Sequence, residues 1–80
     1  MTASTVDFLS GLSPGDHGRV AGYNLSDEQR QRLQEMGLTV GAEFDVVRFA
    51  PMGDPIELKV RGYHLSLRKR DASGIRVVRL

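Results

Sequence analysis

Only one segment of this chain carries the signals of a helix, and that helix has to be short. Ser26 is a favourable N-cap residue, and Gln29 three positions later completes a capping box with it. Gly37 marks the other end, because glycine readily takes the positive φ that follows a helix C-terminus. We therefore predict a helix that begins after Ser26 and ends at Met36. Leu33 and Met36 are its only apolar residues, so it can bury a narrow stripe but cannot build a helical bundle.

The remaining patterned segments are short and indicate β-strands. Apolar and polar residues alternate in segments 56–60 and 63–67, and Gly62 between them suits the tight turn of a hairpin. Further strands are predicted at 17–23, 42–49 and 75–80, with a bulge or two-sided burial in the second of these. Residues 68–73 are predicted to form a polar turn. The pattern therefore predicts five strands and one inserted helix.

A single short helix cannot cover both faces of an open sheet, so the sheet has to curl onto itself. The predicted fold class is mostly β: a small barrel of about five antiparallel strands with one inserted short α-helix. The chain has eighty residues and no cysteine, so its stability must come from one modest apolar core. The predicted interior residues are Val20, Leu33, Phe44, Val46, Ile56, Leu58, Val60, Leu65, Leu67, Ile75 and Val77.

Composition and charge exclude several classes of protein. The N-terminus has no apolar run or cleavage pattern of a signal peptide, and no apolar stretch approaches the ~20 residues needed to span a bilayer. The net charge is only +1 and tryptophan is absent, which argues against nucleic-acid binding. The absence of cysteine suits a reducing compartment such as the cytoplasm, although a periplasmic protein without cysteine would look the same. We predict a cytoplasmic protein with a flexible N-terminus at residues 1–6 and one domain at 7–80, without membrane insertion.

The sequence contains no recognisable catalytic motif. It lacks a cysteine nucleophile, a Gly-x-Ser-x-Gly elbow, and a Gly-Lys-Ser/Thr continuation that would make Gly53 part of a phosphate-binding loop. We therefore predict that the protein is not an enzyme and has no cofactor.

A metal site is not predicted either, although imidazole suits first-row metals. The two histidines, His17 and His64, are far apart in sequence and belong to no His-x-x-x-His pair or other chelating pattern. If a metal is held at all, these two residues are the candidates, most naturally between two chains.

Two surfaces are predicted to bind a protein partner. Phe49, Pro51 and Met52 lie in a proline-rich loop that is too short to pack wholly inward, so some apolar area should be exposed. The alternative is that this loop folds over one end of the barrel as a plug. The second surface is the end of the helix. Its residues are Met36, Leu38 and Val40, for which core packing is the alternative explanation.

Nearly the whole chain, from about residue 9 to residue 77, resembles the FeoA family. The stretches that carry the resemblance are Met36-Gly37-Leu38 followed by Gly41, the run Ala50 to Pro55, and the run Leu65 to Arg68. The approach to the helix at 22–25 is longer than is usual in that family. The C-terminal domains of iron- and manganese-dependent repressors of the diphtheria-toxin-repressor kind resemble the FeoA family in sequence and in fold.

The resemblance implies an SH3-like barrel that acts as the small cytosolic partner of FeoB, a membrane transporter of ferrous iron with a GTP-hydrolysing domain. It implies an influence on iron uptake through GTP hydrolysis or transporter assembly, by a monomer or weak homodimer. The alternative is a stand-alone regulatory domain related to the metal-dependent repressors. With two Tyr, three Phe and no Trp, the chain lacks a rich aromatic groove, so proline-peptide recognition is not expected.

Overall fold

The fold is described by a computed structural model for residues 6–80, and side chains are described from residue 7 onwards. Residues 1–5 of the predicted flexible N-terminus lie outside the described residues, and residue 6 begins a strand. The elements in chain order are β1 (Val6–Phe8), a 3-10 turn (Leu9–Gly11), β2 (His17–Tyr23), α1 (Asp27–Glu35), β3 (Glu43–Phe49), β4 (Ile56–Val60), β5 (Tyr63–Leu67), α2 (Lys69–Ala72) and β6 (Ile75–Arg79).

The six strands form one antiparallel sheet in the order β1-β6-β2-β3-β4-β5. Strands β2 to β5 follow one another as a meander, and β6 returns to pair with β2 on its other side. The five predicted strands and the mostly β class are therefore confirmed. No helix within residues 6–80 is long and apolar enough to cross a membrane.

Three elements were not predicted from the sequence: β1, the 3-10 turn and α2. Strand β1 has three residues and exists through its pairing with β6, in which Phe8 lies opposite Arg76. Three residues are too few to show a period of two. The segment 68–73, predicted as a polar turn, contains the four-residue helix α2, whose own residues Asp71 and Ala72 are buried.

The helix signals are confirmed in detail. The Ser26 hydroxyl accepts a hydrogen bond from the Gln29 backbone N–H at 3.2 Å, and the Gln29 side chain accepts one from the Ser26 N–H at 3.4 Å. At the other end Gly37 has a φ of +102°. The N–H of Leu38 reaches the carbonyl oxygen of Leu33 at 3.0 Å, as a Schellman motif requires.

The core lies on the inner side of the curled sheet and is closed by α1. Of the eleven predicted interior residues, all are buried except Leu65, which is half-buried and packs against the core. Strand β3 carries the predicted bulge, between Val46 and Arg48, and Val47 beside it is exposed, so two-sided burial is excluded there. Residues that complete the core are Leu9, Leu12, Leu38, Ala42 and Ala72.

Candidate partner-binding surfaces

The loop between β3 and β4, residues 50–55, presents a methionine to solvent. Met52 is 91% exposed and Pro51 is also exposed. Phe49 at the end of β3 is half-buried and packs against the core. The plug interpretation therefore fits Phe49 but not Met52, whose side chain does not cover the barrel.

Backbone and side-chain hydrogen bonds hold the base of this loop. The Ala50 N–H donates to the Pro55 carbonyl at 3.0 Å, and the Gly53 N–H donates to the Ala50 carbonyl at 2.7 Å. Asp54 Oδ1 accepts the N–H of Lys69, the first residue of α2, at 3.0 Å. Met52 consequently projects from a loop whose two ends are tied to the barrel, an arrangement in which little conformational freedom is left to lose on binding.

The second predicted surface, at the end of α1, is smaller than expected. Val40 is 61% exposed and Met36 is half-buried, but Leu38 is completely buried in the core. Leu38 is therefore corrected from a partner-binding residue to a core residue, because its position after Gly37 turns it inward against α1. Only Val40 and part of Met36 remain on this surface.

Two tyrosine hydroxyls fasten the end of α1, a feature that the sequence did not reveal. Tyr63 Oη donates to the Met36 carbonyl oxygen at 2.6 Å, and Tyr23 Oη donates to the Leu38 carbonyl oxygen at 2.5 Å. Carbonyl groups at a helix C-terminus have no partner within the helix, so the bond from Tyr63 satisfies the carbonyl of the C-cap residue Met36. Burial raises the pKa of the Tyr23 hydroxyl, which favours its protonated, donating form.

The two histidines are not brought together as one metal site. His17 lies on β2 and His64 on β5, with β3 and β4 between them in the sheet. His64 is exposed and lies opposite Lys59 in the β4–β5 ladder, where a cation is an unfavourable neighbour for a bound metal.

His17 is instead held between two carboxylates of β3. Its Nδ1 lies 2.7 Å from Asp45 Oδ1 and its Nε2 lies 3.3 Å from Glu43 Oε1. The hydrogen bond to Asp45 is the main cause that raises the pKa of His17 above its ordinary value; desolvation opposes it and the bond to Glu43 adds to it. The two ring nitrogens of His17 point to different carboxylates, so a metal could bind the ring only by displacing one of these contacts. Within residues 6–80 no cluster of three or more side chains is suited to hold a metal ion.

A cleft with a volume of about 450 Å³ adjoins this histidine. Lys59 and Arg61 line it together with Glu43, Asp45 and His17. Because charges of both signs face each other there, the cleft does not favour a ligand of one charge.

A smaller cleft of about 180 Å³ lies between α1, the end of β5 and α2. Its residues come from three elements far apart in the sequence, so no local pattern could have identified it. The residues that line it are Gln29, Arg32, Leu33, Met36, Ser66, Leu67, Arg68 and Asp71.

A family model for the FeoA domain matches residues 9–79 of this chain. The chain belongs to the FeoA family. The FeoA-like protein of Clostridium acetobutylicum, solved by NMR, superposes with a TM-score of 0.87 at 35% identity, covering 99% of this chain and 91% of that one. The FeoA protein of Chlorobium tepidum superposes with a TM-score of 0.85 at 42% identity, covering 91% of this chain and 70% of that one. The predicted family and the SH3-like barrel are thereby confirmed.

A curated relative joins this domain to a transporter. The chain is 36% identical over 69 residues to the Fe(2+) transport protein A/Fe(2+) transporter FeoB fusion protein of Porphyromonas gingivalis. The match covers 86% of this chain and only 8% of the fusion protein. A manganese-dependent transcriptional repressor superposes with a TM-score of 0.87, covering 98% of this chain and 38% of the repressor. Its identity is 21%, so this likeness shows a shared fold alone.

Proposed function

We propose that this FeoA-family chain is a cytoplasmic, non-enzymatic accessory protein of ferrous iron uptake that binds the cytosolic region of FeoB. The observation that carries this proposal is the Porphyromonas gingivalis relative, in which the FeoA part and the FeoB transporter are one polypeptide. Joining two domains raises their effective concentration for each other, which is useful when the domains act in contact.

The exposed tip of the 50–55 loop is the surface that best fits such a contact. Met52 can bury apolar area worth ~25 cal/mol per Å² in a groove of the partner, and a flexible thioether side chain adapts to the shape of that groove. The hydrogen bonds at the base of the loop hold it in place before binding. Contact with the GTP-hydrolysing domain of FeoB then influences GTP hydrolysis or assembly of the transporter.

The test is a titration of this protein into the purified cytosolic region of FeoB from the same source, by calorimetry. Met52→Asp places a charge in the proposed apolar contact and is expected to weaken binding at least tenfold, because the carboxylate loses hydration without gaining a partner. Leu80→Asp is the matched control, since Leu80 is another exposed apolar residue and only its backbone N–H is bonded, to the carbonyl of His17.

Val40→Asp distinguishes the two surfaces. If Val40→Asp abolishes binding and Met52→Asp does not, the contact lies at the end of α1. If the parent protein does not bind the FeoB region at all, the proposed function itself is wrong.

A further inference from the structure

Strand β5 is an edge of the sheet within residues 6–80, where it pairs with β4 alone. An edge strand has a row of backbone N–H and C=O groups that point away from the sheet and can pair with another extended chain. Strand β1 is the opposite edge, but it has only three residues, whereas β5 has five. The longer edge is the better template for strand addition.

The hairpin turn determines which groups of β5 point outwards. Arg61 and Gly62 both have positive φ, +49° and +88°, so they form a two-residue hairpin turn. In such a hairpin the residue directly after the turn, here Tyr63, is hydrogen-bonded to the neighbouring strand β4. Along an antiparallel ladder, residues whose backbone groups are hydrogen-bonded to the neighbouring strand alternate with residues whose backbone groups are not. The N–H and C=O groups of His64 and Ser66 are therefore the ones directed away from β4.

The cleft of about 180 Å³ adjoins the Ser66 end of this edge. One wall is the face of α1 formed by residues 29, 32, 33 and 36, which have the spacing of one side of a helix. Leu33 and Leu67 are buried in its floor, and Met36 is half-buried beside them. A strand laid along β5 would place alternate side chains over this apolar floor.

The rim of the cleft is basic. Arg32 and Arg68 line it, both exposed, and Lys69 and Arg70 follow Arg68 directly in the chain. Four cations near one end of a short edge favour an acidic occupant, since opposite charges attract and steer a partner towards the site.

Two carboxylates near this rim, Asp71 and Asp54, already have partners. Asp71 is buried and accepts a hydrogen bond from Gln29 Nε2 at 3.4 Å. Asp54 accepts the N–H of Lys69 at 3.0 Å, and its other oxygen lies 3.9 Å from Arg68 Nε. The four cations outnumber these two carboxylates, so together the six side chains carry a net positive charge.

We propose that the β5 edge and this cleft bind an extended protein segment in which apolar and acidic residues alternate. The segment adds to the sheet as a further strand, with backbone hydrogen bonds to His64 and Ser66, apolar side chains over Leu33 and Leu67, and a carboxylate at Arg32 or Arg68. Such strand addition derives its affinity from the main chain and its selectivity from alternate side chains. This surface differs from the 50–55 loop, and the proposal does not depend on FeoB being the partner.

The probe is a capped synthetic peptide that alternates valine or leucine with glutamate, titrated into the full-length protein labelled with ¹⁵N. We expect saturable shifts centred on the amides of residues 64–68, with the Ser66 amide moving downfield as it gains an acceptor. A peptide with lysine in place of every glutamate is expected to bind at least tenfold more weakly. Added salt is expected to reduce the difference between the two peptides.

Ser66→Pro removes the outward N–H while leaving every ladder bond to β4, because proline is accepted where an edge N–H faces solvent. We expect it to weaken peptide binding about tenfold, the usual cost of one backbone hydrogen bond. Ser66→Ala retains the N–H and is expected to bind as the parent does. Arg68→Glu should also weaken binding, whereas Arg61→Glu, at the far end of the hairpin, should not.

Three results would overturn the proposal. One is the absence of saturable shifts with the acidic peptide at millimolar concentration. Another is unchanged binding by both Ser66→Pro and Arg68→Glu, with each variant shown to be folded by its amide spectrum. The third is that the amides of 64–68 shift on dilution without peptide, which would mean that a second copy of this chain occupies the edge. Because FeoB is absent from these experiments, their failure leaves the FeoB titration unaffected.

Discussion

The hydroxyl of Tyr63 lies 2.6 Å from the carbonyl oxygen of Met36 and donates a hydrogen bond to it, which ties the β4–β5 hairpin to the end of α1. Gly37 follows Met36 with a φ of +102°, and a Cβ built on it would collide with the same hydroxyl. The glycine is therefore required for two independent reasons, its backbone conformation and the space that the tyrosine occupies.

Gly37→Val is expected to lower the free energy of unfolding by more than the ~1 kcal/mol of an ordinary surface substitution. Gly41→Val is the matched control, because Gly41 also has a positive φ, +93°, but no atom lies within 4 Å of its added Cβ. Urea denaturation should show a larger loss for Gly37→Val than for Gly41→Val. Equal losses would mean that Tyr63 moves aside at no cost and that backbone strain alone matters.

The contribution of His17 to stability is expected to depend on pH. Its pKa is raised in the folded protein, chiefly by the hydrogen bond to Asp45, so the folded state holds the proton more tightly than the unfolded state. This contribution is fully present below the ordinary histidine pKa of about 6.5 and is lost as pH rises through the higher folded-state value. Urea midpoints between pH 5 and 9 should show this decline in the parent protein.

His17→Gln is expected to remove that part of the pH dependence, since glutamine cannot take up the proton. His64→Gln is the control, because His64 is exposed on β5 and is not part of the cluster with Asp45 and Glu43. A parent and a His17→Gln variant with the same pH profile would contradict the prediction.

Met52 and Phe49 are expected to respond differently to substitution although they are three positions apart. Met52→Ala should change the free energy of unfolding by no more than ~0.5 kcal/mol, because the side chain is 91% exposed. Phe49→Ala should cost roughly 2 kcal/mol or more, since its ring packs against the core. Thermal unfolding followed by circular dichroism measures both. A large loss with Met52→Ala would show that the loop tip is structural.

The isolated protein is expected to bind ferrous iron weakly and to hydrolyse no GTP. Both nitrogens of His17 are engaged by carboxylates, and the sequence has no cysteine and no phosphate-binding loop. Anaerobic calorimetry with ferrous iron and a phosphate-release assay measure the two properties. Sub-micromolar iron binding would contradict the first, and phosphate release above the protein-free rate would contradict the second.

The sequence by itself determined those elements whose stabilising contacts join residues only a few positions apart in the chain. The capping box of Ser26 with Gln29, the glycine after Met36 and the turn at Gly62 each depend on bonds between near neighbours in the chain. Apolar alternation similarly identified β4 and β5, because which side chain faces the core depends only on the period of the strand. The family resemblance added the SH3-like type of barrel and the FeoB expectation.

The tertiary structure decided whatever depends on neighbours that are distant in sequence. Strand β1 exists because β6 pairs with it, and the burial of Leu38 follows from the direction in which Gly37 turns the chain. His17 acquires its shifted pKa from carboxylates 26 and 28 positions away. The cleft beside β5 is assembled from α1, β5 and α2. Local hydrogen bonds and periodicity encode single elements, but a site assembled from several elements forms only when the closed sheet brings them together.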